Sequence, residues 1–175
     1  MVMYTDPWPH IVIHNYYDDK VFETLRREAK RLVRDNVDTT IRKQEFAMPE
    51  SDIIKTCINS RPLSEKMLLD FPTHRSYEKL NLFWEVNFLI GPFRYPIHDE
   101  SHRKILSSVV YIDPEENSGT YLYDKNKKFS RQVDWSPNTA LIFPAIDGVT
   151  WHDYDCPKGK YRITVNQFLE RSKNE

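Results

Sequence analysis

The sequence predicts a mainly β domain, an antiparallel sandwich or barrel, preceded by helices. Its 175 residues suit one domain rather than two, so we expect a single unit over residues 1–175. A hydrophobic share of 39%, with 13% aromatic residues, is too high for a disordered chain. From about residue 80 onward, short β-branched or aromatic runs alternate with Pro, Gly, Asn and Asp, which is typical of such folds.

The N-terminal elements follow from local patterns. Residues 11–13 predict a short strand, and Asp18 or Asp19 offers an N-cap for a helix that ends near Asp35. Apolar residues recur at helical spacing along this helix, and its charged opposite face is expected to be solvated. The apolar stripe consists of Val21, Phe22, Leu25, Ala29, Leu32 and Val33.

The middle of the chain gives weaker signals. Residues 62–69 predict a second helix, because Pro62 suits the first helical turn. Residues 36–60 and 70–81 are expected to form a lid or loops that set specificity. The runs that predict strands cover residues 82–90, 105–112, 119–123, 130–135, 139–143, 149–151 and 161–169.

Composition narrows the classes of partner. With 25 Lys and Arg against 26 Asp and Glu, the net charge of −1 indicates neither a nucleic-acid partner nor an anionic membrane. Cys57 and Cys156 form no disulfide framework or CxxC motif, which favours a reducing compartment. No signal-peptide pattern and no spanning apolar stretch occur, so we expect a soluble, cytoplasmic protein. Nothing in the sequence predicts the oligomeric state.

Two histidines and a carboxylate have the spacing of a metal site. His98 and Glu100 lie two residues apart, so an extended backbone directs both to one face, with Asp99 pointing away. His152 would complete a set of two histidines and one carboxylate. That set leaves three coordination positions open and favours non-haem Fe(II) over a closed structural zinc site. Asp99 is the alternative carboxylate ligand.

An arginine in the last predicted strand suggests an anion site. Arg162, Thr164 and Asn166 share one face of this strand, while Ile163 and Val165 share the other. A guanidinium and a hydroxyl on the inward face of a core strand are costly unless they meet an anion. Arginine suits a carboxylate because its planar group can bind both oxygens.

Together these residues resemble a known family. His98-x-Glu100, His152 and Arg162-x-Thr164 are similar to the HxD/E…H…Rx[ST] signature of Fe(II)/2-oxoglutarate-dependent dioxygenases. The similarity is greatest to the prolyl-4-hydroxylase-like group, including small stand-alone members of phage and marine bacterial genomes. Residues 107–113, 119–122 and 139–144 also resemble conserved stretches of that group, so the resemblance extends over residues 75–170.

The resemblance implies a double-stranded β-helix, a jelly-roll of cupin type, over residues 80–170, with helical support over residues 18–72. It implies three Fe(II) ligands, His98, Glu100 and His152. Arg162 would bind the distal carboxylate of 2-oxoglutarate, with hydrogen bonds from Thr164 and Tyr111. The implied reaction uses O2, releases succinate and CO2, and hydroxylates a prolyl or other protein side chain or a small metabolite.

Two other classes stay open. A jelly-roll module could bind a ligand without oxidising it, although such a module does not need all four of the residues that carry the resemblance. The segment from His98 to His102 also resembles the HExxH motif of zinc metallopeptidases. However, Asp99 stands where that motif has Glu, and Pro96 and the β-rich run that follows disfavour a helix.

Overall fold

The computed structural model describes residues 2–37, 45–71, 79–100 and 103–172. Short strands dominate these residues, and the two α-helices precede most of them. The elements in chain order are β1 (Val2–Tyr4), β2 (His10–Ile13), α1 (Asp19–Asn36), β3 (Glu45–Ala47), α2 (Asp52–Ser60), a 3-10 helix (Glu65–Asp70), β4 (Leu80–Ile90), β5 (Phe93–Arg94), β6 (Lys104–Asp113), β7 (Thr120–Tyr123), β8 (Phe129–Val133), β9 (Ala140–Pro144), β10 (His152–Cys156) and β11 (Tyr161–Arg171).

The strands form two antiparallel sheets. The major sheet has seven strands in the order β1-β2-β9-β6-β11-β4-β3, and the minor sheet has four in the order β5-β10-β7-β8. Successive strands near the C-terminus alternate between the sheets, since β9 and β11 are in the major sheet and β10 is in the minor one. This arrangement confirms the predicted jelly-roll with N-terminal helices.

One hydrophobic cluster joins the helices to the outer face of the major sheet. The carboxylate of Asp18 caps α1 by accepting a hydrogen bond from the Val21 amide at 3.0 Å, as the sequence predicts. Phe22 and Leu25 are buried on the inward face of α1. They belong to the same cluster as the outward-facing β11 residues, so burial of this stripe attaches α1 to the sheet.

A second cluster lies between the two sheets. It contains Trp8, Tyr111, Leu122, Leu141 and Phe143, all almost completely buried. Their large apolar side chains exclude water from the space between the sheets, where the predicted site residues converge.

Alternation along β11 separates the two clusters. Ile163 and Val165 belong to the helix-side cluster, whereas Arg162 and Thr164 are buried on the opposite face, between the sheets. This confirms the predicted division of β11 into an apolar outer face and a polar inner face.

Two bulges in β6 change the direction of its terminal side chains. Opposite β11, the pairing jumps from Tyr111 to Asp113 and from Leu106 to Lys104, so that each jump leaves one extra residue on β6. The first bulge turns Asp113 towards α1, where its Oδ1 accepts a hydrogen bond from Arg26 Nε at 2.7 Å. The second turns Lys104 to the inner face of the sheet.

Three predictions of secondary structure are wrong. Residues 62–69 form no α-helix, because only a short 3-10 helix lies there, and α2 occupies part of the stretch expected to be a loop. Ser51 caps α2, and Ile54, Cys57 and Ile58 form its buried stripe. The predicted strand over residues 149–151 is a turn, since the strand begins only at His152. The strand β3 also lies in the stretch expected to be a loop, and residues 38–44 and 72–78 of the lid prediction lie outside the described residues.

None of the helices in the described ranges combines the length and the apolar character needed to cross a membrane.

Candidate functional site

His98 and His152 form a close pair between the sheets. The two residues make an isolated antiparallel bridge in which each backbone amide donates to the carbonyl of the other, at 3.0 and 2.8 Å. Their ring centroids are 4.3 Å apart. A backbone link therefore holds together two imidazoles that are 54 positions apart in the sequence.

Both imidazoles are oriented by backbone carbonyls. Nδ1 of His98 lies 2.9 Å from the carbonyl oxygen of Pro96, and Nδ1 of His152 lies 2.9 Å from that of Thr150. A carbonyl can only accept, so each Nδ1 carries the proton and each Nε2 remains as the ligand atom. Burial, together with a smaller electrostatic contribution from the neighbouring His98, lowers the pKa of His152 to about 4, which keeps this imidazole neutral.

Glu100 lies near the histidine pair but is bound to a lysine. Its Oε2 accepts from Nζ of Lys104 at 2.7 Å, and its side chain is only 6% exposed. Burial alone would raise the pKa of Glu100, yet Lys104 and the neighbouring His152 hold it below its ordinary value. In the described part of the chain, no three His, Cys, Asp or Glu side chains are grouped closely enough to hold a metal ion.

Asp99 points elsewhere. Its Oδ2 accepts a hydrogen bond from the Gly148 amide at 2.7 Å, in the turn that precedes His152. This contact joins the two segments that carry the histidines. His98 lies in a β-bridge rather than a helix, which does not suit the HExxH reading, and His102 lies outside the described residues.

Arg162 is a buried cation whose acceptors are backbone atoms. The residue is 2% exposed, and its Nη1 donates to the carbonyls of Ser118 and Gly119 at 3.1 and 2.9 Å. Within the ranges that the structure describes, no carboxylate forms an ion pair with it. Burial lowers its pKa, yet an arginine remains charged in proteins. The guanidinium therefore has capacity for an anionic ligand.

Aromatic rings surround this guanidinium. Its central carbon lies 5.4 Å from the ring centre of Tyr111, 5.0 Å from that of Trp135 and 4.9 Å from that of Tyr154. Such rings attract a cation weakly and exclude water. They position the arginine without neutralising its charge, which leaves that charge for a ligand.

The other two predicted contacts of 2-oxoglutarate lie beside Arg162. Thr164 is directly opposite Tyr111 in the β11–β6 pairing, and both are buried. The Tyr111 hydroxyl donates to Oγ1 of Thr120 at 2.8 Å, and burial raises the pKa of Tyr111. Two hydroxyl groups therefore lie on the inner face near the guanidinium, where they can bind a carboxylate.

Tyr154 connects the arginine to the histidine pair and is absent from the predicted site. Its ring lies 6.3 Å from that of His98 and stacks on Tyr95 at 5.0 Å. The signal was present in the sequence, because residues 152 and 154 of one strand share a face. The structure thus brings His98, His152, Arg162, Thr164 and Tyr111 to the space between the sheets, with Glu100 at its margin on Lys104. The roles of these residues stay predictions.

The fold has known counterparts among 2-oxoglutarate and iron oxygenases. No family model and no curated protein matches the sequence. Solved structures match the fold, and they include prolyl-4-hydroxylases and members of the 2OG-Fe(II) oxygenase family. Identities of 10–16% show that the fold is shared.

Three of these structures illustrate the likeness. The viral collagen prolyl hydroxylase vCPH of Paramecium Bursaria Chlorella virus-1, solved with 2OG, has a TM-score of 0.63 at 15% identity, over 94% of this chain and 96% of that one. A Trichoplax adhaerens prolyl hydroxylase, solved with a hypoxia inducible factor peptide, has a TM-score of 0.66 at 12% identity, over 92% of this chain and 83% of that one. An oxidoreductase of the 2OG-Fe(II) oxygenase family from Burkholderia pseudomallei has a TM-score of 0.64 at 10% identity, over 93% of this chain and 84% of that one.

Proposed function

We propose that the protein is a non-haem Fe(II)- and 2-oxoglutarate-dependent dioxygenase. The observation that carries the proposal is Arg162, a fully buried cation with no acidic partner among the described residues, in the same space as the histidine pair. A buried charge without a counterion is costly, so its presence is best explained by an anionic ligand. A dicarboxylate that also reaches a metal satisfies both features.

The donor set fits Fe(II). Two imidazoles with free Nε2 atoms and one ionised carboxylate supply the ligand types of the set of two histidines and one carboxylate that iron oxygenases use. His98, His152 and Glu100 would hold the metal, and Glu100 would have to leave Lys104 to do so. When bound, the iron supplies the oxidising chemistry with O2 and 2-oxoglutarate.

The protein's own residues would bind and orient the co-substrate. Arg162 would pair with its distal carboxylate, and the hydroxyl groups of Thr164 and Tyr111 would donate hydrogen bonds to the same group. To do so, Tyr111 would have to turn its single O–H away from Oγ1 of Thr120. Trp135 and Tyr154 would exclude water from this contact, which strengthens it. The chain thus fixes one end of the co-substrate so that its other end faces the histidines.

The proposed reaction hydroxylates a substrate and releases succinate and CO2. The substrate is proposed to be a prolyl or other protein side chain, or a small metabolite. The prolyl hydroxylase from Trichoplax adhaerens was solved with a peptide, which supports including peptides among the first substrates to be tested. We expect the protein to be cytoplasmic and to bind neither nucleic acid nor membranes.

Anaerobic titration tests the proposal. Fe(II) added with 2-oxoglutarate should give a visible charge-transfer band, and admission of O2 should then release succinate, more so with a peptide or metabolite pool that contains the substrate. The variant His98→Ala should give neither signal. Binding of 2-oxoglutarate without succinate release would instead identify a non-catalytic binding module, and zinc-dependent peptide cleavage without O2 consumption would identify a peptidase.

A further inference from the structure

Lys104 carries a positive charge and is in direct contact with Glu100, one of the proposed metal ligands. Its Nζ lies 2.7 Å from Oε2 of Glu100, and the side chains of Lys104 and Glu100 are 21% and 6% exposed. At such burial the attraction between the two charges is much stronger than in water. The pair is therefore expected to persist in the metal-free protein.

The fold directs Lys104 to this place. Within an unbroken β6, Lys104 would share a face with Leu106, which belongs to the helix-side cluster. The bulge opposite β11 reverses this, because Lys104 pairs with Glu170 whereas Leu106 pairs with Leu169. Bulges frequently redirect a side chain beside an active site.

A second contact supports the same orientation. The Lys104 ammonium lies 3.5 Å from the ring centre of Phe168, an inner-face residue of β11. Lys104 therefore lies on the inner face of the major sheet, on the same side as Glu100.

We propose that Lys104 is a positioning residue that holds Glu100 in the metal-free protein and weakens metal binding, because a divalent cation must displace its ammonium to complete the site. This inference depends on the proposed function. The oxygen atom that accepts from the ammonium is one of the two that can ligate a metal. A positive charge beside the site also repels the incoming cation.

Binding of Mn²⁺ to the full chain, measured by calorimetry at pH 8 without 2-oxoglutarate, tests the proposal. Lys104→Met keeps the aliphatic stem and removes the charge, so it should bind Mn²⁺ about tenfold more tightly than the wild type, within the range of changes around metal ligands. Lys104→Arg keeps the charge and should remain near the wild-type affinity. Lys30→Met, which removes an ion pair between Lys30 of α1 and Asp113 of β6, is the matched control and should also leave the affinity unchanged.

The variant Glu100→Gln separates a direct effect from a structural one. In that background the gain from Lys104→Met should fall well below tenfold, because the carboxylate for which lysine and metal compete is gone. Mn²⁺ binding by Lys104→Met that is equal to or weaker than that of the wild type would overturn the proposal. If Lys104→Met folds poorly, Lys104→Gln takes its place in the same measurement. If no variant and not even the wild type binds Mn²⁺, the proposed function itself fails.

Discussion

Replacement of Arg162 by Met tests whether this guanidinium serves a ligand rather than the fold. The substitution relieves the desolvation of a buried charge, worth several kcal/mol. It also leaves the carbonyls of Ser118 and Gly119 without a donor, at about 1–3 kcal/mol each. The two effects oppose each other, so the unfolding free energy of the ligand-free protein should change by no more than about 2 kcal/mol.

The effect on ligand binding should be much larger. In the wild type, 2-oxoglutarate with Mn²⁺ at one hundred times the dissociation constant should raise the melting temperature by about 5–10 °C, for a stabilisation of about 2.7 kcal/mol in a chain of this size. Arg162→Met should lose this increase completely, because no other cation is placed to bind the distal carboxylate among the described inner-face residues of β11.

Thermal unfolding with and without 2-oxoglutarate is the assay. Arg61→Met is a matched control, since the Arg61 guanidinium also stacks on a tyrosine ring, at 4.5 Å from the centre of Tyr16, but on the helix side of the major sheet. The control should keep the full increase with ligand. An unchanged increase in Arg162→Met would refute the assignment of this residue to the co-substrate, and a collapse of ligand-free stability would show that it serves the fold.

Three further predictions concern stability. Burial keeps His152 neutral with a pKa of about 4, against 6.5 in the unfolded chain. The unfolding free energy of the metal-free protein should therefore fall by up to about 3 kcal/mol as the pH is lowered from 6.5 to 4. Urea unfolding of His152→Asn should not show this fall. Gly119→Ala should lower the unfolding free energy by more than about 3 kcal/mol, since the added Cβ would lie 1.7 Å from the Val133 carbonyl oxygen. Gly148→Ala, which has open space but a φ of +68°, should lower it by only about 1 kcal/mol. Equal decreases for the two variants would contradict the clash at Gly119. Leu25→Ala, at a fully buried position of α1, should cost about 2–5 kcal/mol in the same assay, and a cost below 1 kcal/mol would argue against the helix-side core.

The elements that could be predicted are those whose signal is local. The apolar stripe of α1 repeats every three to four residues, and the inward face of β11 alternates every two, so both follow from the sequence alone. Arg162 could be assigned to the interior for the same reason. By contrast, α2 was missed because nine residues with a short stripe and little flanking signal are hard to distinguish from a loop.

Features that depend on two strands could not be predicted. The inward turn of Lys104 results from a bulge, which is a property of the pairing between β6 and β11 and not of either strand. For the same reason the ion pair between Lys104 and Glu100 was not foreseen. The convergence of His98 and His152 was expected from the ligand types and the family resemblance, but their backbone bridge is seen only in the folded chain.

That bridge has a consequence for the kinetics of exchange and assembly. Because the amides of His98 and His152 donate to each other's carbonyls, neither amide hydrogen can exchange with solvent until the two segments separate. The relative position of the imidazoles is thus established when the chain folds, with little conformational entropy left for an incoming ion to remove. Deuterium uptake at these two amides would therefore report how often the site opens, independently of any ligand.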